Sequence, residues 1–195
     1  PEEFNNMKFD VIIGNPPYQL STGGSGAQAK PIYQLFVKES KKLNPRYLSM
    51  IMPSRWFSGG MGLDDFRNEM LHDKHISKFI DYSNAKDCFP ENSISGGVCY
   101  FLREKDKEGL CYFTNIKDGK QNSMERNLSE FPVLVRYNDA VLILRKVIQK
   151  NENSLSKIVS SLTPFGLSTN IRGTEKTSSN DDLLLHASDG VSFIN

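Results

Sequence analysis

Phe9-Asp10-Val11-Ile12-Ile13-Gly14-Asn15-Pro16-Pro17-Tyr18 reads as a short apolar strand that runs straight into a rigid turn. Val11, Ile12 and Ile13 are contiguous and β-branched, which predicts a strand covered on both faces of a parallel sheet. Gly14 lets the backbone turn. Pro16 and Pro17 then fix φ, remove two N–H donors and stop the strand. Their carbonyls are held in a set direction with no local donor to claim them. The result is a ledge at the carboxyl end of a strand, carrying one amide side chain and one aromatic ring. Open α/β sheets bind their ligands at that end. Alone, the four residues Asn15 to Tyr18 are also an ordinary turn; the apolar run ahead of them makes the ledge a candidate site.

Working outward, the chain has 195 residues, enough for one domain or slightly more. It carries 24 basic and 23 acidic residues, a net charge of +1, so any contact with nucleic acid needs a local patch rather than bulk charge. Cys88, Cys99 and Cys111 lack Cys-x-x-Cys spacing and read as free thiols of a reducing compartment, neither a disulfide frame nor a metal site. There is no signal peptide and no apolar run long enough to span a membrane, so a cytoplasmic location is expected. The start at Pro1, without methionine, reads as that of an excised piece.

Residues 19–30 form a Gly/Ser-rich loop. Pro31 opens a helix whose apolar stripe is Ile32, Leu35, Phe36 and Leu43, ended by Asn44-Pro45. Tyr47 to Met52 is the next strand, stopped by Pro53. Ser58-Gly59-Gly60-Met61-Gly62 is a second flexible loop. Leu63 to Leu71 is an amphipathic helix with Leu63, Phe66 and Met70 inward, and Asp64-Asp65 supplies favourable first-turn charge. His72 and His75 flank its end without a third ligand, so no metal site is expected. Ile76 to Tyr82 is a third strand. Val98–Leu102 and Leu110–Phe113 are expected to form an antiparallel hairpin. Tyr137 to Lys150 is a helix with Val141, Leu144, Val147 and Ile148 on its buried side.

In that context the stretch ending in Asn15-Pro16-Pro17-Tyr18 resembles motif IV of the S-adenosylmethionine-dependent amino-methyltransferases, in the form typical of DNA adenine-N6 methyltransferases. Pro53-Ser54-Arg55-Trp56-Phe57 is similar to the family's Pro-x-x-Trp segment, with Trp56 as packing and Arg55 at the rim. Cys88-Phe89-Pro90, followed by Gly96-Gly97-Val98-Cys99-Tyr100-Phe101-Leu102, resembles motif VIII as found in Eco57I-like restriction–modification methylases. Thr163 to Asn170 is loosely similar to the start of the target-recognition region in the same enzymes.

The resemblance implies an α/β fold: a partial Rossmann-like methyltransferase sheet, mostly parallel with a reversed last strand, followed by a mostly polar, mixed segment. It implies that residues 1–116 are the carboxyl-terminal half of the catalytic domain, with 117–195 a linker and the start of target recognition. It assigns catalysis to Asn15, Pro16, Pro17 and Tyr18, base stacking to Tyr18 and Phe89, and contact with the cofactor adenine to Phe36. The implied cofactor is S-adenosylmethionine, and the implied partner is double-stranded DNA with a flipped adenine. The Gly-rich loop and acidic residue that hold the first half of the cofactor have no counterpart. Gly23-Gly24-Ser25-Gly26 follows the ledge instead of opening a sheet. The chain alone is therefore expected to be inactive. Methylation of glutamine amides or RNA adenine uses the same tetrapeptide, and a non-catalytic DNA-recognition module is a third reading. Phe89 and the polar tail favour DNA, and the intact Asn15 amide disfavours a purely binding surface.

Overall fold

The computed structural model describes residues 8–20, 29–159, 183–187 and 190–194. The chain divides into two compact units, Pro1–Gln149 and Lys150–Asn195. Within the first unit the order is β1 (Val11–Gly14), α1 (Tyr33–Lys42), β2 (Tyr47–Pro53), α2 (Asp64–His72), β3 (Ile76–Tyr82), β4 (Val98–Glu104), β5 (Cys111–Lys117), β6 (Lys120–Arg126) and α3 (Asn138–Gln149). The second contains β7 (Leu183–Ala187) antiparallel to β8 (Gly190–Ile194). Among the described residues no helix is long and apolar enough to cross a membrane.

Six strands form one sheet in the order β1-β2-β4-β3-β5-β6. β1 is parallel to β2, β3 is parallel to β5, and β4 runs antiparallel to both β2 and β3. Four strands therefore share one direction, and the reversed β4 is wedged among them. The expected hairpin of Val98–Leu102 with Leu110–Phe113 does not form. β5 instead joins β3 in parallel, Phe79 opposite Phe113, because β4 has both of its edges taken by β2 and β3. The hairpin forms one step later, between β5 and β6. Asp118 (φ 50) and Gly119 (φ 71) are both left-handed there, the two-residue turn that matches strand twist.

One row of aligned residues crosses all six strands: Gly14, Met50, Phe101, Phe79, Phe113 and Met124. Phe79 and Phe113 stack with centroids 5.0 Å apart. Tyr33 and Val37 of α1, Phe66 and Met70 of α2, and Trp56 and Phe57 belong to the same buried cluster. Trp56 is 0% exposed, edge-on to Phe57, Phe66 and Phe79, so it is the packing residue expected. Leu63, Phe66 and Met70 point inward as their spacing predicts.

Three expectations about burial meet a different outcome within this chain. Here β1 pairs only with β2, and among the described residues Val11 and Ile13 are 52% and 78% exposed. α1 buries Tyr33 and Val37, while Leu35 and Phe36 face outward. It also starts at Tyr33, two residues after Pro31. Pro31 pairs with Gln19 in an isolated bridge, and the Tyr18 carbonyl accepts from the Ile32 N–H. That bridge closes the base of the Gly/Ser loop, whose residues 21–28 lie outside the described ones, Gly23–Gly26 included. On α3, Val141 is buried, but Val147 and Ile148 are exposed. The segment from Thr163 to Asn170 also lies outside the described residues.

Candidate active site

The reversed β4 is what assembles the site. β1, β2 and β3 deliver their carboxyl ends to one edge of the sheet. β4 runs the other way, so it brings its start there: Val98 lies opposite both Pro53 and Tyr82. Residues after β1, after β2 and before β4 therefore meet at one edge. They enclose a cavity of about 620 Å³, within the roughly 300–1,000 Å³ range of small-ligand sites. Asn15, Pro16, Pro17, Tyr18 and Gln19 form one wall with Ala29, Pro31 and Tyr33; Pro53, Arg55, Ser93, Ile94 and Ser95 form the rest.

Asn15 is exposed and Pro16 buried, so the amide is free to meet a ligand while its support is packed. Tyr18 is half-buried, and its hydroxyl has no hydrogen-bond partner among the described residues. Burial raises its phenol pKa, with Cys88 and Cys99 adding to the effect. Phe89 is half-buried, its N–H bonded to the Ala85 carbonyl at 2.7 Å, and it does not line the cavity. Phe36 is 43% exposed and is not a wall residue either. The four residues of the ledge are thus brought together, and Phe89 and Phe36 stand outside that cavity.

Two parts of the wall escaped the reading of the sequence. Tyr33 is 2% exposed with its hydroxyl unpartnered. Its phenol pKa is raised by burial and by Cys99, against an opposing effect of Arg55. A tyrosine on the buried stripe of α1, where a phenylalanine would pack as well, was the available signal. Ser93–Ser95 had none beyond lying before Gly96-Gly97.

The far wall is anchored from beneath. Asp81, 0% exposed, accepts from Ser54 Oγ at 2.9 Å and from Arg136 Nε and Nη2 at 2.7 and 2.8 Å. Asn115 Nδ2 donates to the Arg136 carbonyl at 2.8 Å. Ser54 N–H donates to the Gly97 carbonyl at 3.0 Å, joining the turn after β2 to the loop before β4. Gly97 sits at φ 84, and a β-carbon there would collide with the Tyr82 carbonyl oxygen. Only glycine satisfies both demands.

The histidines make their own bonds. His72 Nδ1 donates to the Asn68 carbonyl at 2.8 Å, and His75 Nδ1 to that of Lys107 at 3.0 Å. All three cysteines are free; Cys99 and Cys111 are buried.

Comparison with known proteins follows the same geometry. Residues 1–89 match the family described as Eco57I restriction-modification methylase. It is 39% identical over 150 residues to an uncharacterized adenine-specific methylase of Mycoplasma pneumoniae, covering 74% of this chain and 36% of that protein. It is 24% identical over 139 residues to the type II restriction enzyme and methyltransferase RM.Eco57I of Escherichia coli, covering 62% of this chain and 14% of that protein. The chain thus spans only about a third or less of these relatives. Among solved structures it resembles the type IIG restriction endonuclease BpuSI (12% identity, TM-score 0.49, 76% of this chain and 23% of that one). It also resembles a type I methyltransferase subunit of Streptococcus thermophilus (12% identity, TM-score 0.40, 77% and 34%).

Proposed function

We propose that the chain is part of a DNA adenine-N6 methyltransferase of a restriction–modification system, with residues 1–116 in its catalytic domain and 117–195 leading into target recognition. What supports this most is that Asn15, Pro16, Pro17 and Tyr18 line one cavity at the ligand-binding edge of the sheet. The match of residues 1–89 to the Eco57I methylase family adds to it.

The chemistry follows from the residue types. An adenine amino group is a poor nucleophile because its lone pair is delocalised into the ring. Asn15 Oδ1 and the Pro16 carbonyl are the acceptor pair for its two N–H bonds. Both are acceptors held by a proline-stiffened turn, so they draw the nitrogen towards tetrahedral geometry and stabilise the positive charge that develops on it. Tyr18 stacks on one face of the base; Phe89, outside the cavity in this structure, covers the other face once its turn closes towards the ledge. Stacking of this kind contributes roughly 1–3 kcal/mol per base and offsets the cost of unstacking the target.

S-adenosylmethionine, the donor that the methylase family implies, supplies an electrophilic sulfonium methyl. Phe36 is the residue of this chain that fits its adenine: α1 leaves that ring 43% exposed, where a core aromatic would be covered.

The test is N6-methyladenine formation in DNA by the full-length parent, beside Asn15→Ala, read by mass spectrometry of digested nucleosides. Product from the wild type, and formation roughly 100- to 1,000-fold slower from the variant, is expected. An unmethylated product pool with DNA binding intact would refute the reaction. Methylation of a Gly-Gly-Gln peptide instead of DNA would replace the substrate.

A further inference from the structure

The cavity wall includes one charged residue to which the catalytic reading gives no task. Among the described residues that line it, Arg55 carries the single charge. A flipped nucleotide does not arrive as a base alone: it brings a phosphate on either side. Resting on the reading above, we infer that Arg55 grips a phosphate flanking the flipped adenine, and so sets how deep the base enters.

Three observations converge on this. First, Arg55 is exposed, and among the described residues no carboxylate pairs with it; its Nη1 donates to Met61 Sδ at 3.5 Å. Arg67, Arg103, Arg136 and Arg145 each sit on a carboxylate within 3.1 Å, Arg46 lies 3.8 Å from Asp106, and Arg126 is buried over Phe113 with a bond to the Val135 carbonyl. Second, its backbone is rigid although its side chain is open. Arg55 lies in a 3-10 turn, Ser54–Phe57, in which every other residue is buried. Ser54 is bonded through Oγ to Asp81 and through N–H to the Gly97 carbonyl; Trp56 and Phe57 are packed in the core. A guanidinium on an anchored turn loses little further backbone freedom on binding, and its planar fork suits phosphate oxygens. Third, it lines the same cavity as Asn15 to Tyr18, together with Ser93–Ser95. One cavity thus offers acceptors for the base at Asn15 and a cation for the sugar–phosphate at Arg55.

The experiment uses the full-length parent and duplex DNA, once the modified adenine has been mapped. Binding is measured against salt for the wild type, Arg55→Ala, Arg55→Gln and Arg55→Lys. Each of the two phosphates flanking the target is also replaced, one at a time, by a neutral methylphosphonate. Arg55→Ala and Arg55→Gln are expected to weaken DNA binding about tenfold. They are expected to lower the slope of log affinity against log salt by about one, with Arg55→Lys keeping most of that slope. Neutralising one flanking phosphate should weaken the wild type by the same factor and leave Arg55→Ala unchanged. Melting temperature and S-adenosylmethionine affinity should not move. An unchanged slope in Arg55→Ala, or losses from variant and methylphosphonate that simply add, overturns the inference. Loss of cofactor affinity in Arg55→Ala also overturns it, and would give the guanidinium to the cofactor carboxylate instead. A wild-type parent that binds no DNA removes the functional reading itself, an outcome distinct from any of these.

Discussion

At the centre of the sheet, Phe101 on β4 and Phe79 on β3 are both 0% exposed, flanked on each side by strands and covered by Trp56 and α2. At the β1 edge of this chain, Val11 and Ile13 are 52% and 78% exposed among the described residues, with one paired neighbour strand. The residue types are equally apolar in both places. What differs is how many partners the topology supplies. The candidate site spans the two regions: its ledge hangs from the open edge strand, and its far wall is bolted to the centre through Ser54, Asp81 and Arg136. Position in the sheet, not local sequence, separates the rigid wall from the lightly supported ledge.

That contrast makes predictions of decreasing size. Asp81→Ala leaves the Arg136 guanidinium without its carboxylate and should destabilise this chain by about 3–5 kcal/mol, read from urea unfolding. A loss under about 1 kcal/mol would mean that the network is not what holds the far wall.

Asn15→Ala should act in the opposite sense. The side chain is exposed, so the unfolding midpoint of the chain should not move. Methyl transfer by the parent should fall roughly 100- to 1,000-fold, the range for removing one preorganised electrostatic partner. Phe89→Ala should lower the parent's kcat/KM by roughly 5- to 150-fold, the equivalent of one lost base stack, with Phe89→Tyr close to wild type. Equal kinetics for Phe89→Ala and wild type would leave Tyr18 as the sole stacking partner.

Ile13→Thr is expected to change the stability of this chain by no more than about 0.5 kcal/mol, as for an exposed surface position. A cost like that of a core truncation would show the edge to be covered after all. The last effect is in acid, at the opposite end of the sheet. Asp73 is desolvated, which by itself raises its pKa, but Lys41 at 2.8 Å and Arg103 at 3.1 Å outweigh burial and hold it below its ordinary 3.8. A depressed carboxyl contributes stability that is present above its ordinary value and lost as pH falls through the lower, folded one. Thermal unfolding should show an acid limb below about pH 4 that Asp73→Asn flattens.

Much of the molecule was legible without coordinates. β2, β3 and α2 announce themselves by period and by their stops, Pro53 and the Asp64-Asp65 start. Asn15 to Tyr18 was readable as a ledge because two prolines leave the backbone almost no choice. Phe36 was harder: Tyr33/Val37 and Leu35/Phe36 are both apolar stripes on one helix, and only the neighbour that α1 meets decides which is buried. Asp118-Gly119 carried a hairpin signal that the polar composition around it concealed.

The order β1-β2-β4-β3-β5-β6 was out of reach of the sequence, because strand pairing is a long-range competition for edges. β5 could bond to β4 or to β3, and local pattern prefers the nearer partner. Once β4 was enclosed on both sides, only β3 had an edge free. That enclosure also carries Gly97, Ser93–Ser95 and the Pro53–Arg55 turn to the edge where Asn15 waits. The sequence by itself determined the chemical groups, the stiffness of the ledge and most of the elements, because those depend on side-chain type and φ restriction. Tertiary structure alone decided which strand is an edge, which helix face is buried and which distant residues share a cavity, because those depend on partners that no local stretch contains.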